Sequence, residues 1–506
     1  MREVITRSLG VVLPMVVWSS LAAAMPPEKV ALQGARIIPV VGDDVDKGTL
    51  LIEHGVIKAI GTDVDIPYDA MVVDVSGKVL FPGMIDAHSA RGLDIRNENL
   101  PVTPYLDVYD AIDPSRRYFE DALRDGITTI HAIVANDCVI GGLSRAVHPI
   151  GRTPDEMTLY GPIALKISVA PKRGFDRMVQ MATLREAFLK LADYLDDLAE
   201  TKYEESLKKE DKKIDVGPEE ARKRGEKLIE FSDLDDAHRN LVLLTGGKLR
   251  AFIYCERPSD IERARQVADE AGFLQQSTFV LGPACFKAAA AIKSLGRPVV
   301  LDAQLLYRER DSVTAKLTET FVPKVYYDKG VTFSLLPSPD SSLAERYPNY
   351  QAARCVRQGL PRQTALEAIT INPANAIGVA DRVGSLEVGK VANVVVLSGD
   401  PLDFNAHVEL VYINGIRAYD RQHDPRLEQL LEEEPSEVED SGGGGSEGDA
   451  KEGDAKRDAG DQAGESKEGD GAQESEESSD EEPSDGDAPE APGIGAGRPT
   501  TGSKGS

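Results

Sequence analysis

The feature that most constrains this chain is a recurrence: over residues 79–380, short apolar runs alternate with longer segments of helical pattern. The runs fall at 79–85, 127–134, 163–169, 249–254, 278–281, 298–301 and 331–336, with an eighth somewhere in 139–159. Short uninterrupted apolar runs suit strands buried on both faces, and strands separated by helices suit a parallel sheet. Their order predicts an α/β fold, a (β/α)8 TIM-like barrel over 79–380, with functional side chains at the C-terminal ends of the strands.

The segments around this array read differently. Residues 31–75 alternate apolar and polar, with Gly42, Gly48, Gly55, Gly61 and Pro67 at the breaks, which predicts short antiparallel strands. Residues 383–419 carry the same pattern. Within the array, 176–240 is long and charged, and Leu184, Phe188, Leu191, Leu195 and Leu198 recur three or four apart. That spacing predicts a helical insertion after the strand bearing Lys166, placed to cover part of the barrel mouth.

Both ends of the 506-residue chain stand apart from the fold. Residues 1–24 run from Arg2 and Arg7 through an apolar stretch to Ala22-Ala23-Ala24, the charged, apolar and small-residue order of a signal peptide. Export to a periplasm or cell envelope is the expectation, with no stable membrane span once the leader is removed. Residues 431–506 hold 24 Asp and Glu against 6 Lys and Arg, a net of −18 out of the chain's −27. With almost no apolar residues, such a segment cannot offset ordering entropy by burial, so a disordered acidic tail is expected. The acidity also argues against nucleic acid as a partner, because like charges repel.

One motif carries most of the chemical information: Phe81-Pro82-Gly83-Met84-Ile85-Asp86-Ala87-His88-Ser89-Ala90. An apolar strand here delivers Asp86 and His88 at its end. A second His at position 90 would share a face with His88 and make a metal pair, but Ala90 stands there. Further on come Leu366-Glu367-Ala368-Ile369-Thr370-Ile371-Asn372-Pro373-Ala374-Asn375-Ala376-Ile377-Gly378 and Arg382-Val383-Gly384-Ser385-Leu386-Glu387-Val388-Gly389-Lys390. Together with Glu53-His54-Gly55-Val56-Ile57-Lys58-Ala59-Ile60-Gly61, these segments resemble amidohydrolase-superfamily enzymes of the imidazolonepropionase-like group, over roughly 30–419.

The resemblance implies that 28–78 and 381–420 form one composite β-sandwich beside the barrel. It also implies a divalent metal, zinc foremost, at the mouth, activating a water that attacks a carbonyl or amidine carbon. Here His88 and Lys166 match the family's first- and fourth-strand ligand positions, Lys166 as a site of carboxylation. Asp340 lies near the eighth-strand position of the catalytic proton acceptor, and Glu256 offers a substitute oxygen ligand. Tyr254, Glu256 and the region of Leu281 stand where relatives place further histidines. Two readings follow: a binding module or pseudoenzyme with a small molecule at the mouth, or a hydrolase of cyclic amides or amidines working with a reduced metal site. The resemblance leaves room for a homo-oligomer.

Of the four cysteines, Cys255 and Cys285 sit at neighbouring strand ends, open to a thiolate–imidazole zinc site with His88, a disulfide, or two buried thiols. Cys355 reads as helical core. His131 falls inside a strand run, while His54, His148, His238, His407 and His423 fall in turns or polar segments and are expected to face solvent. The stretch Asn136-Asp137-Cys138-Val139-Ile140-Gly141-Gly142 reads as a tight turn bordering the pocket.

Overall fold

Pro82 and Gly83 divide the first apolar run into two strands that belong to different sheets. The computed structural model describes residues 28–212, 216–339 and 343–431. The N-terminal segment expected to be a signal peptide, Asp340 and the acidic residues beyond Leu431 lie outside them. Val79–Pro82 joins a sheet built from the two flanks, whereas Met84–Ser89 opens the parallel array, so the expectation of one continuous strand over 79–85 is corrected. Proline removes a ladder donor, and Gly83 lets the chain pass close to its neighbour: a Cβ there would lie 1.8 Å from Thr128 Oγ1.

The fold is mixed α/β. The parallel strands fall into two sheets rather than one closed ladder. In one, Met84–Ser89 pairs parallel with Ile127–Ala132, which continues antiparallel into Arg145–Val147 and Thr158–Tyr160. In the other, Ala164–Ser168, Arg250–Cys255, Ser277–Leu281, Val299–Leu301 and Phe333–Leu335 run parallel, with Ile140–Leu143 antiparallel at the edge. Backbone hydrogen bonds stitch the sheets at two seams. Ser144 N–H donates to Ala164 O (2.9 Å) at one, and at the other Leu335 N–H donates to Ala368 O (2.9 Å) and Ile85 N–H to Ile369 O (3.1 Å). The region 139–159 supplies short antiparallel strands instead of one parallel strand. At the second seam, Pro337 and Pro339 follow Phe333–Leu335 and lack the N–H groups that would extend it.

Ile85, Ala87, Ile133, Phe252, Val280, Val300 and Leu336 form an apolar cluster between the two sheets. At the N-terminal ends of the strands this cluster is closed by Ala374, Ile377 and Val379, in and just after the short helix Ile371–Ile377. Thr278 Oγ1 donates to Ala376 O at 2.9 Å and Asn372 Nδ2 to Phe333 O at 3.0 Å, which fastens the helix there.

The flanks make one eight-stranded sheet in which Val79–Pro82 lies between Lys29–Ile37 and Val394–Leu397. Its own core includes Leu32, Leu50, Ile52, Leu80, Val394 and Val396. Between the strands Ala164–Ser168 and Arg250–Cys255 stand the helices Arg177–Lys209, Pro218–Glu226 and Asp236–Thr245. The first of these is started by Asp176, whose carboxylate accepts from Val179 N–H at 2.8 Å, an N-cap. Among the described residues no helix is long and apolar enough to cross a membrane.

Candidate functional site

The C-terminal ends of the strands bring Lys166 and His88 together. Lys166 lies mid-strand in Ala164–Ser168, paired with Phe252 across the ladder, and its side chain is fully buried. Opposite, Gly141 makes room, since a Cβ there would sit 3.2 Å from Lys166 Cβ and 2.5 Å from Val134 Cγ2. Lys166 Nζ ends 2.7 Å from His88 Nε2 and 5.6 Å from the centre of the Tyr254 ring. Burial pushes the Lys166 amine down to about 7. Burial, then the Lys166 charge, holds His88 well below the usual imidazole range. At neutral pH the imidazole is therefore neutral and accepts a hydrogen bond from the amine.

Asp86, the other polar residue of the motif, holds the backbone instead of facing the mouth. Its carboxylate accepts from His88 N–H at 3.2 Å and from Tyr118 O–H at 2.7 Å. Burial raises its pKa against the lowering effect of these bonds. His131 is also fully buried, with Nδ1 2.9 Å from Ala87 O and Nε2 2.7 Å from Ser144 Oγ, and burial pushes it down to about 3. It is a satisfied core histidine. His148 corrects the expectation of a solvent-facing ring: it is buried, with Nδ1 2.9 Å from Thr128 O.

Glu256 does not join Lys166 and His88. It is half-exposed and turns to Arg177, whose guanidinium lies 3.3 Å from Glu256 Oε2 and also binds the buried Asp260. Arg177 comes from the inserted helix, which is pinned over the mouth one turn later. Gln180 Nε2 donates to Cys138 O (2.9 Å) and Ser168 O (2.8 Å), and its Oε1 accepts from Lys172 N–H (3.0 Å). Lys172 Nζ in turn donates to Glu98 O and Asp137 O. Cys138, Gly141 and Gly142 border a cavity of only 40 Å³ beneath these loops.

The four cysteines are free and buried. Cys285 donates its S–H to Cys255 O at 3.2 Å, and burial raises both thiols, Cys285 to about 12. Neither supplies a thiolate near neutrality, as a metal ligand or nucleophile requires.

Among the described residues the donors do not fit the metal centre that the resemblance implies. Among the described residues no three His, Cys, Asp or Glu side chains gather at one point. The Lys166 amine, unmodified, is spent on a hydrogen bond to His88 Nε2, the ring nitrogen that would otherwise face an ion. Asp340 lies outside the described residues.

Sequence reasoning passed over Arg177 and Asp302. Asp302 follows Val299–Leu301 as Asp86 follows Ile85, a strand-end acid whose position was the available signal. It is largely buried, accepts from Gln304 N–H at 2.9 Å and has its pKa raised by burial. Arg177 gave no local signal, because its carboxylate partners are 79 and 83 positions away.

Comparisons with known proteins agree with this architecture. The sequence profile of the amidohydrolase family matches residues 349–419. Amidohydrolase tasK of Hapsidospora irregularis is 23% identical over 413 residues, which cover 74% of this chain and 40% of that protein. The imidazolonepropionase of Brevibacillus brevis is 24% identical over 446 residues, 76% of this chain and 94% of that enzyme. In three dimensions the chain is similar to an amidohydrolase from Thermotoga maritima, at 27% identity and a TM-score of 0.63, with 78% of this chain and 100% of that one covered.

Proposed function

Because the chain belongs to the amidohydrolase superfamily, in its imidazolonepropionase-like group, we propose that it uses that scaffold to bind a small molecule and has lost metal-dependent hydrolysis. On this reading the two stitched sheets are the superfamily's (β/α)8 barrel and the eight-stranded sheet is its flanking β-sandwich. The reading rests on one observation, the 2.7 Å contact between Lys166 Nζ and His88 Nε2. The unmodified amine and the imidazole instead satisfy one another. Three further family positions hold Ala90, Tyr254 and a Glu256 already engaged by Arg177, and the sixth-strand position near Leu281 carries no histidine. The ligand meets a mouth edged by His88, Tyr254 and Asp302, groups that recognise a polar molecule by hydrogen bonds without activating water. Export belongs to the same proposal and is supported by the residue order of the first 24 positions.

Metal analysis of protein purified without chelator tests this, paired with hydrolysis assays on cyclic amides, amidines and N-acyl amino acids. Substoichiometric metal and no turnover are expected, with His88→Ala leaving both unchanged. A full equivalent of zinc together with turnover that His88→Ala abolishes would overturn the proposal.

A further inference from the structure

At the opposite end of the strands lie two arginines with no acid to neutralise them. Arg250 begins the strand Arg250–Cys255, and Arg297 stands two residues before Val299–Leu301. The Arg250 guanidinium packs over Gly378, where a Cβ would come within 2.5 Å of Nε. Among the described residues neither arginine makes an ion pair, in contrast to Arg124, Arg145 and Arg177, whose guanidiniums meet carboxylates. Arg297 has a single side-chain hydrogen bond, to Gln275 Oε1 at 2.9 Å, and its Nε–H is buried without an acceptor. Arginine cannot shed its proton to escape such a setting. The strain registers as a lowered pKa at Arg297, caused by burial and then by Arg250.

A cavity of 380 Å³ opens beside Arg297 and is also lined by Lys293, Asn372 and Asn375, with no acidic side chain among the described residues of its wall. The Lys293 ammonium meets only a carbonyl, Gly330 O. The Asn375 amide is exposed and makes no side-chain hydrogen bond among the described residues. An opening that offers a guanidinium, an ammonium and the Asn375 amide, with no carboxylate among its described lining residues, suits a multiply charged oxyanion, whose several oxygens accept charge-assisted hydrogen bonds from different sides.

We propose that this cavity binds a phosphate group, either as the free anion or as part of a small phosphate ester. The site lies at the N-terminal ends of the strands, away from the mouth, and does not depend on whether the mouth has kept its chemistry.

The test uses the full chain, with thermal unfolding and calorimetric titration in inorganic phosphate or glycerol phosphate at about 10 mM, against sodium chloride of equal ionic strength. Phosphate is expected to raise the melting temperature beyond the chloride control. Arg297→Gln should weaken binding by about tenfold or more, the loss of a hydrogen bond to a charged group. Asn375→Asp, which sets a carboxylate at the rim, should abolish the response. In phosphate-free buffer Arg297→Gln should unfold no earlier than the wild type, since it removes an uncompensated charge, which separates lost binding from lost folding. Tighter binding of the ester identifies a carried phosphate as the ligand, and binding of inorganic phosphate alone identifies the free anion. Equal shifts in phosphate and chloride, or a phosphate response untouched by both substitutions, would overturn the assignment.

Discussion

At the C-terminal ends of the strands Lys166 is fully buried and meets a neutral imidazole; at the N-terminal ends Arg250 and Arg297 are partly buried and meet no carboxylate among the described residues. The two settings look alike in a charge count and differ in physics. A lysine ammonium can discharge when water is withdrawn, and the amine it leaves behind is satisfied by one acceptor. A guanidinium stays charged at any pH the fold survives, so the same withdrawal of water leaves a standing demand for an anion. The mouth has resolved its charge internally, while the floor has not. Arg177 completes the comparison: it opens the inserted helix, which brings it to Glu256 and Asp260, so its demand is met within the chain.

The largest effect should come from breaking that internal solution. Arg177→Met leaves the buried Asp260 carboxylate with Arg263, 3.3 Å away, and the Arg257 N–H, 3.0 Å away, and should destabilise the protein by about 3–5 kcal/mol, as loss of one partner of a buried pair does. Urea unfolding measures it, and a loss below about 1 kcal/mol would mean that the mouth does not depend on its arginine.

Next in size, and opposite in sign, is Lys166→Met. The folded-state value near 7 lies below the ordinary 10.5, so between those pH values the unfolded chain holds a proton that the folded chain has released. Stability in the wild type therefore climbs with pH across that window, and below it this group adds no slope. Lys166→Met should be more stable than the wild type by about 2–4 kcal/mol at pH 7, with the advantage fading toward pH 10. Urea midpoints at pH 7 and pH 9.5 give both numbers, and parallel pH profiles for the two proteins would refute discharge at the mouth.

The smallest effect belongs to the floor. Repulsion between Arg250 and Arg297 is screened by salt, so the wild type should gain a few tenths of a kcal/mol between low and moderate ionic strength, more than Arg297→Gln does. Identical salt responses would erase the contrast between the two ends.

Sequence pattern located the parallel strands to within a few residues because each is a short, mainly apolar stretch that reports its own burial: 127–134 against Ile127–Ala132, 249–254 against Arg250–Cys255, 278–281 against Ser277–Leu281. It failed where geometry overrides local composition. Phe81 and Ile85 look like members of one run, yet Pro82-Gly83 sends them to different sheets. His148 stands before Pro149 and reads as a turn residue, but a strand 20 positions earlier supplies the carbonyl that its ring meets. The Lys166–His88 pair was legible as two candidate positions but not as a mutual hydrogen bond. The arginines of the floor were not legible at all, since having no partner is a property of the folded surroundings and leaves no mark on the residues themselves.

The eight-stranded sheet has a further consequence, for how the chain is made. Val79–Pro82 pairs on one side with Lys29–Ile37 and on the other with Val394–Leu397, so one edge of that strand stays open until a segment roughly 300 residues further along has left the ribosome. An apolar strand with an unfilled edge invites foreign pairing. Biosynthesis of this protein is thus a long wait with a sticky seam exposed, closed at last by the segment that also carries the family's most recognisable residues.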